Sequence, residues 1–136
     1  MELFATYCSA NKDPATAHLP AAERYISDRI AGVHTRAISI NNPFAILSGR
    51  FGLIGPDEPI PDYDHLLQPD EIPAMAERVA GTLKQWEVTR VRWFTVAFEM
   101  DPNVSRYSEV MTRAATLAGS EFELELWEPT GMLGLV

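Results

Sequence analysis

Short apolar segments alternate with longer amphipathic segments along this chain, and no other feature of the sequence constrains the fold as strongly. Four segments rich in β-branched or aromatic residues predict strands, at residues 3–8, 44–48, 90–98 and 121–128. Three segments with apolar residues at helical spacing predict helices, which begin near Pro20, Asp70 and Val104. Because each parallel crossover needs a helix to cover a sheet face, this order predicts a layered α/β domain with a mostly parallel sheet.

The first predicted helix has an apolar stripe that we expect to face the core. This stripe consists of Ala22, Ile26, Ile30, Val33 and Ala37. Arg24 and Arg29 lie off the stripe. Asp70 is the predicted N-cap of the second helix, and the third is predicted to end at Gly119. The proline-rich residues 55–73 predict a long irregular connection, of a kind that is often functional or mobile.

The length of 136 residues predicts one domain spanning residues 1–136. No segment approaches the roughly 18 consecutive apolar residues of a membrane helix, so no membrane association is predicted. The N-terminus lacks the charged and apolar regions of a signal peptide. The single cysteine, Cys8, has no partner for an internal disulfide, which agrees with a reducing compartment. Together these observations predict a cytoplasmic protein.

A formal net charge of −8 opposes broad attraction to the phosphate backbone of nucleic acid, although a local basic patch stays open. The last predicted strand alternates Phe122, Leu124 and Leu126 with glutamates, which is typical of a sheet edge with one solvated face. This edge and the apolar residues 132–136 would suit pairing with a partner or with a second copy in a homo-oligomer. Alternatively, the charges only protect a solvated edge from aggregation.

Polar, charged and thiol side chains follow each of the predicted strands. Ligands of open parallel sheets collect at the carboxyl ends of the strands, where the loops converge. The residues at these ends are Cys8, Ser9, Lys12, Ser48, Gly49, Arg50, Glu99, Asp101 and Glu128. The sequence therefore predicts a cleft that combines two cations with hydroxyl groups, a thiol and carboxylates.

Lys12 and Arg50 are the predicted anion-binding pair of this cleft. Arginine offers a planar fork and lysine a point charge, and both suit a phosphate or a carboxylate. The alternative is that the two side chains are solvated surface residues. Gly49 and Gly52 either serve turn geometry or let the backbone approach a ligand closely.

Cys8 and Glu99 are the candidate catalytic residues, Cys8 as a nucleophile and Glu99 as an acid or base. A cysteine at the end of a buried strand is alternatively a small core residue. Tyr25 and Ser27, in the first predicted helix, are expected to edge the same cleft. The alternative for that helix is an ordinary solvated face.

The sequence predicts neither a bound cofactor nor a metal site. Its glycines follow no Walker or dinucleotide-binding pattern. His18, His34 and His65 lack metal-ligand spacing to one another and to Cys8.

Three motifs in the first half of the chain carry a resemblance to a known superfamily. They are C-S-x-x-K near the start, Y-x-S in the first predicted helix, and L-S-[GA]-x-[FY]-G-L-[IL]-x-P-x-x-x-[IL]-x-x-Y after the second strand. In these motifs the chain resembles the YaaA-like superfamily, and the second half adds only a compatible α/β pattern. The matching positions are Cys8, Ser9, Lys12, Tyr25, Ser27, Ser48, Gly49, Arg50, Phe51, Gly52, Leu53, Pro56, Ile60 and Tyr63.

The resemblance implies an association with nucleotide or nucleic-acid chemistry. YaaA is associated with oxidative stress and DNA binding, and some distant relatives lie beside enzymes that modify nucleobases. This chain is shorter than full YaaA proteins, and its sequence shows no additional basic DNA-binding region.

Residues and resemblance together predict binding, with or without processing, of a small anionic ligand that is nucleotide-like or contains a nucleobase. Arg50 and Lys12 would neutralise its anionic oxygens, and Tyr63 would stack on or cover it. Ser9 and Ser48 would donate hydrogen bonds to it. Whether the protein is an enzyme stays open. The alternatives are a DNA-binding stress-response protein and a non-catalytic subunit of a larger assembly.

Overall fold

A five-stranded sheet forms the centre of the computed structural model, which describes residues 1–128. Its strands are β1 (Glu2–Tyr7), β3 (Phe44–Ser48), β4 (Gly52–Ile54), β6 (Arg90–Thr95) and β7 (Glu121–Leu126), and a separate pair consists of β2 (Leu19–Pro20) and β5 (Pro59–Ile60). The order across the sheet is β4-β3-β1-β6-β7, and only β4 is antiparallel to its neighbour. The predicted layered α/β architecture with a mostly parallel sheet is therefore confirmed.

Helices cover both faces of the sheet. They are α1 (Ala21–Arg24), α2 (Asp28–Ser39), α3 (Ile72–Gln85) and α4 (Val104–Ala118). On β6, the ring of Phe94 lies 5.3 Å from the guanidinium carbon of Arg36 in α2. The preceding residue, Trp93, instead donates from its indole N–H to Ser108 in α4, at 2.8 Å. Because successive side chains of a strand point to opposite faces, α2 and α4 cover opposite faces of the sheet. None of the helices described within residues 1–128 is long and apolar enough to cross a membrane.

The prediction of one continuous helix beginning near Pro20 is wrong, because the structure divides this segment into α1 and α2. The backbone of Tyr25 leaves the helix to form an isolated β-bridge with Lys12. Ser27 then starts α2 as its N-cap, with its hydroxyl accepting from the N–H of Ile30 at 3.2 Å. Ile26 lies in the break and is 51% exposed, although the apolar stripe predicts it to be buried.

The two arginines that lie off the predicted stripe are buried instead. Arg24 is fully buried and donates to the carbonyl oxygens of Asp13, Ala15, Ala17 and Ile60. These bonds wrap the loop after β1 around the guanidinium group. Arg29 is also buried and lies under the end of β1. Contacts with distant backbone therefore bury these two arginines, whereas Ile30, Val33 and Ala37 of the predicted stripe are buried as its periodicity predicts.

The region predicted as a long irregular connection contains a short strand, β5. A second short strand, β4, precedes it and pairs with β3 in the register Ser48↔Gly52. The predicted N-cap role of Asp70 is wrong, because a single 3₁₀ turn at Pro69–Glu71 precedes α3. The carboxylate of Glu71 accepts from the N–H of Gln68 at 2.7 Å and closes this turn.

The second half of the chain follows the sequence closely. Helix α4 ends as predicted at Gly119, which adopts a left-handed conformation with φ 73°. Strand β7 lies at the sheet edge as predicted. Its apolar face is only partly covered, since Phe122 packs against the core while Leu124 and Leu126 are exposed. The apolar residues 132–136, predicted to support pairing, lie outside the described residues.

Candidate functional site

A cleft of about 440 Å³, here called the central cleft, opens at the carboxyl ends of β1 and β6. Its lining comes from the end of β1 and the loop after it, from Arg29 in α2, from residues 64–66 and from the N-terminus of α4. Its polar lining consists of Tyr7, Cys8, Ser9, Lys12, Arg29, Asp64, His65, Asp101, Asn103 and Tyr107. The position agrees with the rule that ligands of parallel sheets collect at the carboxyl ends of strands.

Arg29 is the most unusual residue of the central cleft. Its Nη1 donates to the carbonyl oxygen of Tyr7 at 2.7 Å and to the hydroxyl of Thr6, and its Nη2 donates to the carbonyl oxygen of Cys8 at 3.2 Å. Its guanidinium carbon lies 3.5 Å from the centre of the Tyr7 ring. These contacts fix the guanidinium group in one orientation at the end of β1.

The charge of Arg29 has no negative partner within residues 1–128. The residue is only 8% exposed, and no carboxylate within residues 1–128 forms an ion pair with it. Burial lowers the pKa of the Arg29 guanidinium, because it disfavours the charged form. A buried charge without a counter-charge costs folding free energy. An anion in the central cleft would offset that cost.

Cys8 lines the central cleft but is largely buried. Its N–H donates to the carbonyl oxygen of Leu47 at 3.0 Å, which holds the residue beside β3. Burial, and secondarily the Cys8 thiol, raise the pKa of the Tyr107 hydroxyl. Within the described residues, no basic side chain lies within hydrogen-bond distance of the Cys8 sulfur. The structure thus places Cys8 in the cleft without a neighbouring base to activate it.

Three predicted ligand-binding residues, Ser48, Tyr63 and Tyr25, bond to one another through their hydroxyl groups and form what we call the hydroxyl chain. The Ser48 hydroxyl lies 2.9 Å from that of Tyr63, which bonds in turn to Tyr25. Ser48 Oγ also accepts from the N–H groups of Arg50 and Phe51, at 3.1 and 3.0 Å. Since these bonds occupy both of its lone pairs, Ser48 donates its proton to Tyr63, and Tyr63 donates to Tyr25.

Ser48 and Tyr25 of the hydroxyl chain are buried, Tyr63 is half-buried, and the chain is uncharged at neutral pH. Burial is the main cause that raises the pKa of Tyr25 to about 12, and Cys8 contributes further. Burial also raises the pKa of Tyr63. The polar atoms of Ser48 and Tyr63 are thus occupied by protein partners. This arrangement fixes the turn after β3 and supports the site from behind.

Lys12 lies over the aromatic end of the hydroxyl chain. Its Nζ is 4.5 Å from the ring centre of Tyr63 and 6.0 Å from that of Tyr25, and it approaches the carbonyl oxygen of Ala10 at 3.5 Å. The bridge between the backbones of Lys12 and Tyr25 holds the base of this side chain. Lys12 therefore contributes a positive charge to the central cleft.

Arg50 does not reach the central cleft. It lines a separate cavity of about 600 Å³, here called the second pocket, formed by Gly49, Arg50, His65, Asp70, Glu71, Ala74, Met75 and Arg78. The expectation that Lys12 and Arg50 bind one anion in one pocket is therefore corrected. The physical reason is the turn after Ser48, which reverses the chain into antiparallel β4 and directs residue 50 toward α3.

The remaining predicted site residues have separate locations. The Ser9 hydroxyl lines the central cleft and donates to the carbonyl oxygen of Asn11 at 2.8 Å. Ser27 caps α2, and Glu99 is exposed and does not line the cleft. Gly52 has φ 77° at the start of β4, and Gly49 lines the second pocket. Ser9 is thus the only one of these residues that the structure places in the central cleft.

Sequence reasoning missed three important residues of the central cleft, Arg29, Asp64 and Tyr107. The predicted stripe leaves Arg29 out, which is wrong, because Arg29 lies four residues before the buried Val33 and therefore on the same helical face. Tyr107 has no comparable signal. Its hydroxyl accepts from the N–H of Leu67 at 3.1 Å, a contact between residues far apart in the chain.

The central cleft presents charges of both signs. Lys12 and Arg29 supply two positive charges, while Asp64 and Asp101 supply carboxylates. Such a lining suits a ligand that carries both an anionic group and N–H or O–H donors. Within residues 1–128, no group of three or more His, Cys, Asp or Glu side chains could hold a metal ion.

Comparison with protein-family models, with curated protein sequences and with solved structures finds no match to this chain. The YaaA-like resemblance therefore stays a prediction that depends on its three motifs.

Proposed function

We propose that the central cleft binds a small anionic ligand that is nucleotide-like or contains a nucleobase. The observation that carries this proposal is the buried guanidinium of Arg29, which lines the cleft without an ion-pair partner in residues 1–128. An anionic oxygen at this position would receive charge-assisted hydrogen bonds in a site of low dielectric constant.

The rest of the lining favours a nucleotide over a simple anion. Asp64 and Asp101 would accept hydrogen bonds from ribose hydroxyl or base amino groups, whereas they would repel a bare phosphate. The volume of about 440 Å³ lies within the range of small-molecule sites. Lys12 would add a second positive charge beside the anionic group. The proposal concerns binding alone, because Cys8 lines the cleft without a neighbouring base in residues 1–128 that would activate it as a nucleophile.

Thermal unfolding with adenosine monophosphate, adenosine and inorganic phosphate tests the proposal. A ligand at about 100 times its Kd adds about 2.7 kcal/mol to the free energy of unfolding, so the nucleotide should raise Tm by several degrees. Adenosine and phosphate, each of which lacks half of the recognised groups, should raise it less.

Two variants and a control assign that effect to the cleft. Arg29→Gln and Lys12→Gln should each reduce the Tm shift caused by the nucleotide. Arg113→Gln removes the same charge from the outer side of α4, where Arg113 pairs with Glu109 at 2.6 Å, and should leave the shift unchanged. Lys12→Gln provides the test if Arg29→Gln fails to fold. Equal shifts in all four proteins, or none in the wild type, would count against the proposal.

A further inference from the structure

The central cleft and the second pocket share a dividing segment. His65 lines both cavities, and its Nε2 lies 2.9 Å from a carboxylate oxygen of Glu71, on the side of the second pocket. Gly49 lies so close beneath this segment that an added Cβ would be 2.9 Å from the Tyr107 hydroxyl and 3.0 Å from the N–H nitrogen of Leu67. The two cavities therefore adjoin across the thickness of one backbone segment.

The second pocket contains two arginines, Arg50 and Arg78. Neither forms a salt bridge within residues 1–128, whereas Arg36, Arg90, Arg92 and Arg113 all do. Asp70 also lines this pocket, while the carboxylate of Glu71 is already engaged by His65. The pocket therefore combines two guanidinium groups that form no ion pair within residues 1–128 with two carboxylates, of which only that of Glu71 is bonded to His65.

The guanidinium of Arg78 is held in place by the turn after β3. Its Nη1 donates to the carbonyl oxygen of Arg50 at 3.0 Å. Its Nε would lie 3.1 Å from a Cβ added at Gly52, so the absence of a side chain at Gly52 makes room for this arrangement. An oriented guanidinium loses less conformational entropy when it binds an anion.

We propose that the ligand extends over His65 and places a second, separate anionic group in the second pocket, against Arg50 and Arg78. The proposal rests on the proposed function, because the first anionic group is the one bound by Arg29. A 5′-phosphorylated dinucleotide is the simplest nucleotide of this class, since a nucleoside separates its terminal phosphate from its phosphodiester. A nucleoside diphosphate carries the same number of phosphates next to each other.

Isothermal titration calorimetry with adenosine monophosphate, adenosine diphosphate and 5′-phosphorylated diadenylate tests the proposal. The wild type should bind the dinucleotide at least about tenfold more tightly than the monophosphate, as expected for an added charge-assisted contact. The double variant Arg50→Gln/Arg78→Gln should bind both with the affinity of the wild type for the monophosphate. Arg29→Gln should weaken the binding of both the monophosphate and the dinucleotide, and Arg113→Gln should weaken the binding of neither.

The outcomes separate this inference from the proposed function. If the monophosphate binds but the dinucleotide binds no more tightly, the extended site is wrong and the proposed function stands. If the double variant keeps the preference for the dinucleotide, Arg50 and Arg78 are not its cause and the inference fails. If adenosine diphosphate gains as much affinity over the monophosphate as the dinucleotide does, separated anionic groups are not required. The proposed ligand class is then wrong. If the wild type binds none of the three, both proposals fail.

Discussion

Arg24 and Arg29 are both buried, but their guanidinium groups have different surroundings. Arg24 donates to four backbone carbonyl oxygens and lines none of the central cleft, so its role is to hold the loop after β1. Arg29 donates to the end of β1 and also faces the cleft. The same residue type therefore holds a loop at one position and lines the central cleft at the other.

At Ser48, removal of one hydroxyl should destabilise the protein measurably. Ser48→Ala leaves the N–H groups of Arg50 and Phe51 without their acceptor and removes a partner from Tyr63. Unsatisfied buried polar groups cost roughly 1–3 kcal/mol each, and solvent reaches part of this turn, so we expect a loss of about 2 kcal/mol. Urea unfolding measures it.

Ser9→Ala is the matched control for this change. The Ser9 hydroxyl makes one exposed bond, to the carbonyl oxygen of Asn11, so its loss should change the free energy of unfolding by less than about 0.5 kcal/mol. If Ser48→Ala is as mild as Ser9→Ala, the hydroxyl chain does not hold the turn after β3.

At the scale of elements, local signals predict the structure well where an element forms from its own residues. Helix α4 is an example, because its apolar periodicity and the left-handed Gly119 both lie within the segment. The break at Tyr25 depends instead on a backbone bridge to Lys12, and strand β4 depends on pairing with β3. Neither partner can be deduced from the local sequence.

In the candidate site, too, the local sequence predicts some residue positions, while contacts with distant residues determine others. The carboxyl ends of the strands predict the location of Cys8, Ser9 and Lys12, since they immediately follow β1. The location of Arg50 depends on the direction in which the chain leaves its turn, and that direction is fixed by the pairing of β4. Contacts between distant residues therefore explain what the sequence alone could not predict.

Substitution by alanine should have opposite effects on stability at two helical glycines, Gly81 and Gly32. Gly81, in α3, has nothing within 4 Å of an added Cβ, so Gly81→Ala should stabilise the protein by roughly 1 kcal/mol through helix propensity. Gly32, in α2, lies under the ring of Trp127, where a Cβ would be 2.3 Å from a ring carbon. Overpacking costs about 1–3 kcal/mol, so Gly32→Ala should be destabilising overall.

Urea unfolding of the two glycine variants measures this difference, and tryptophan fluorescence reports on the displaced ring. The main chain of Trp127 is held in place, because its backbone N–H donates to the carbonyl oxygen of Thr95 at 2.8 Å, so the clash must displace the ring itself. Equal stabilisation by both substitutions would show that Trp127 does not pack on α2.

Across the whole molecule, four of the seven Lys and Arg side chains that form no salt bridge within residues 1–128 line the two adjoining cavities. The chain has a net charge of −8, and Arg36, Arg90, Arg92 and Arg113 are paired with carboxylates. Lys12 and Arg29 line the central cleft without such partners in residues 1–128, and Arg50 and Arg78 line the adjoining second pocket. A short anion could contact these cationic groups directly, whereas a long polyanion would also meet the acidic remainder of the surface.

This charge distribution predicts that affinity stops increasing with the length of a nucleic acid. A single-stranded oligonucleotide of about 20 residues should bind no more tightly than 5′-phosphorylated diadenylate, and a duplex should bind less tightly. If the protein neutralises about two phosphates of the single-stranded oligonucleotide, the slope of log K for that oligonucleotide against log salt should be about −1.4. This value follows from the single-strand relation of about −0.7 per phosphate. Titrations between about 50 and 200 mM salt measure it, with uncharged adenosine as the control whose affinity should not change. Tighter binding of the long strand or the duplex, with a slope several times steeper, would instead favour an extended DNA-binding surface.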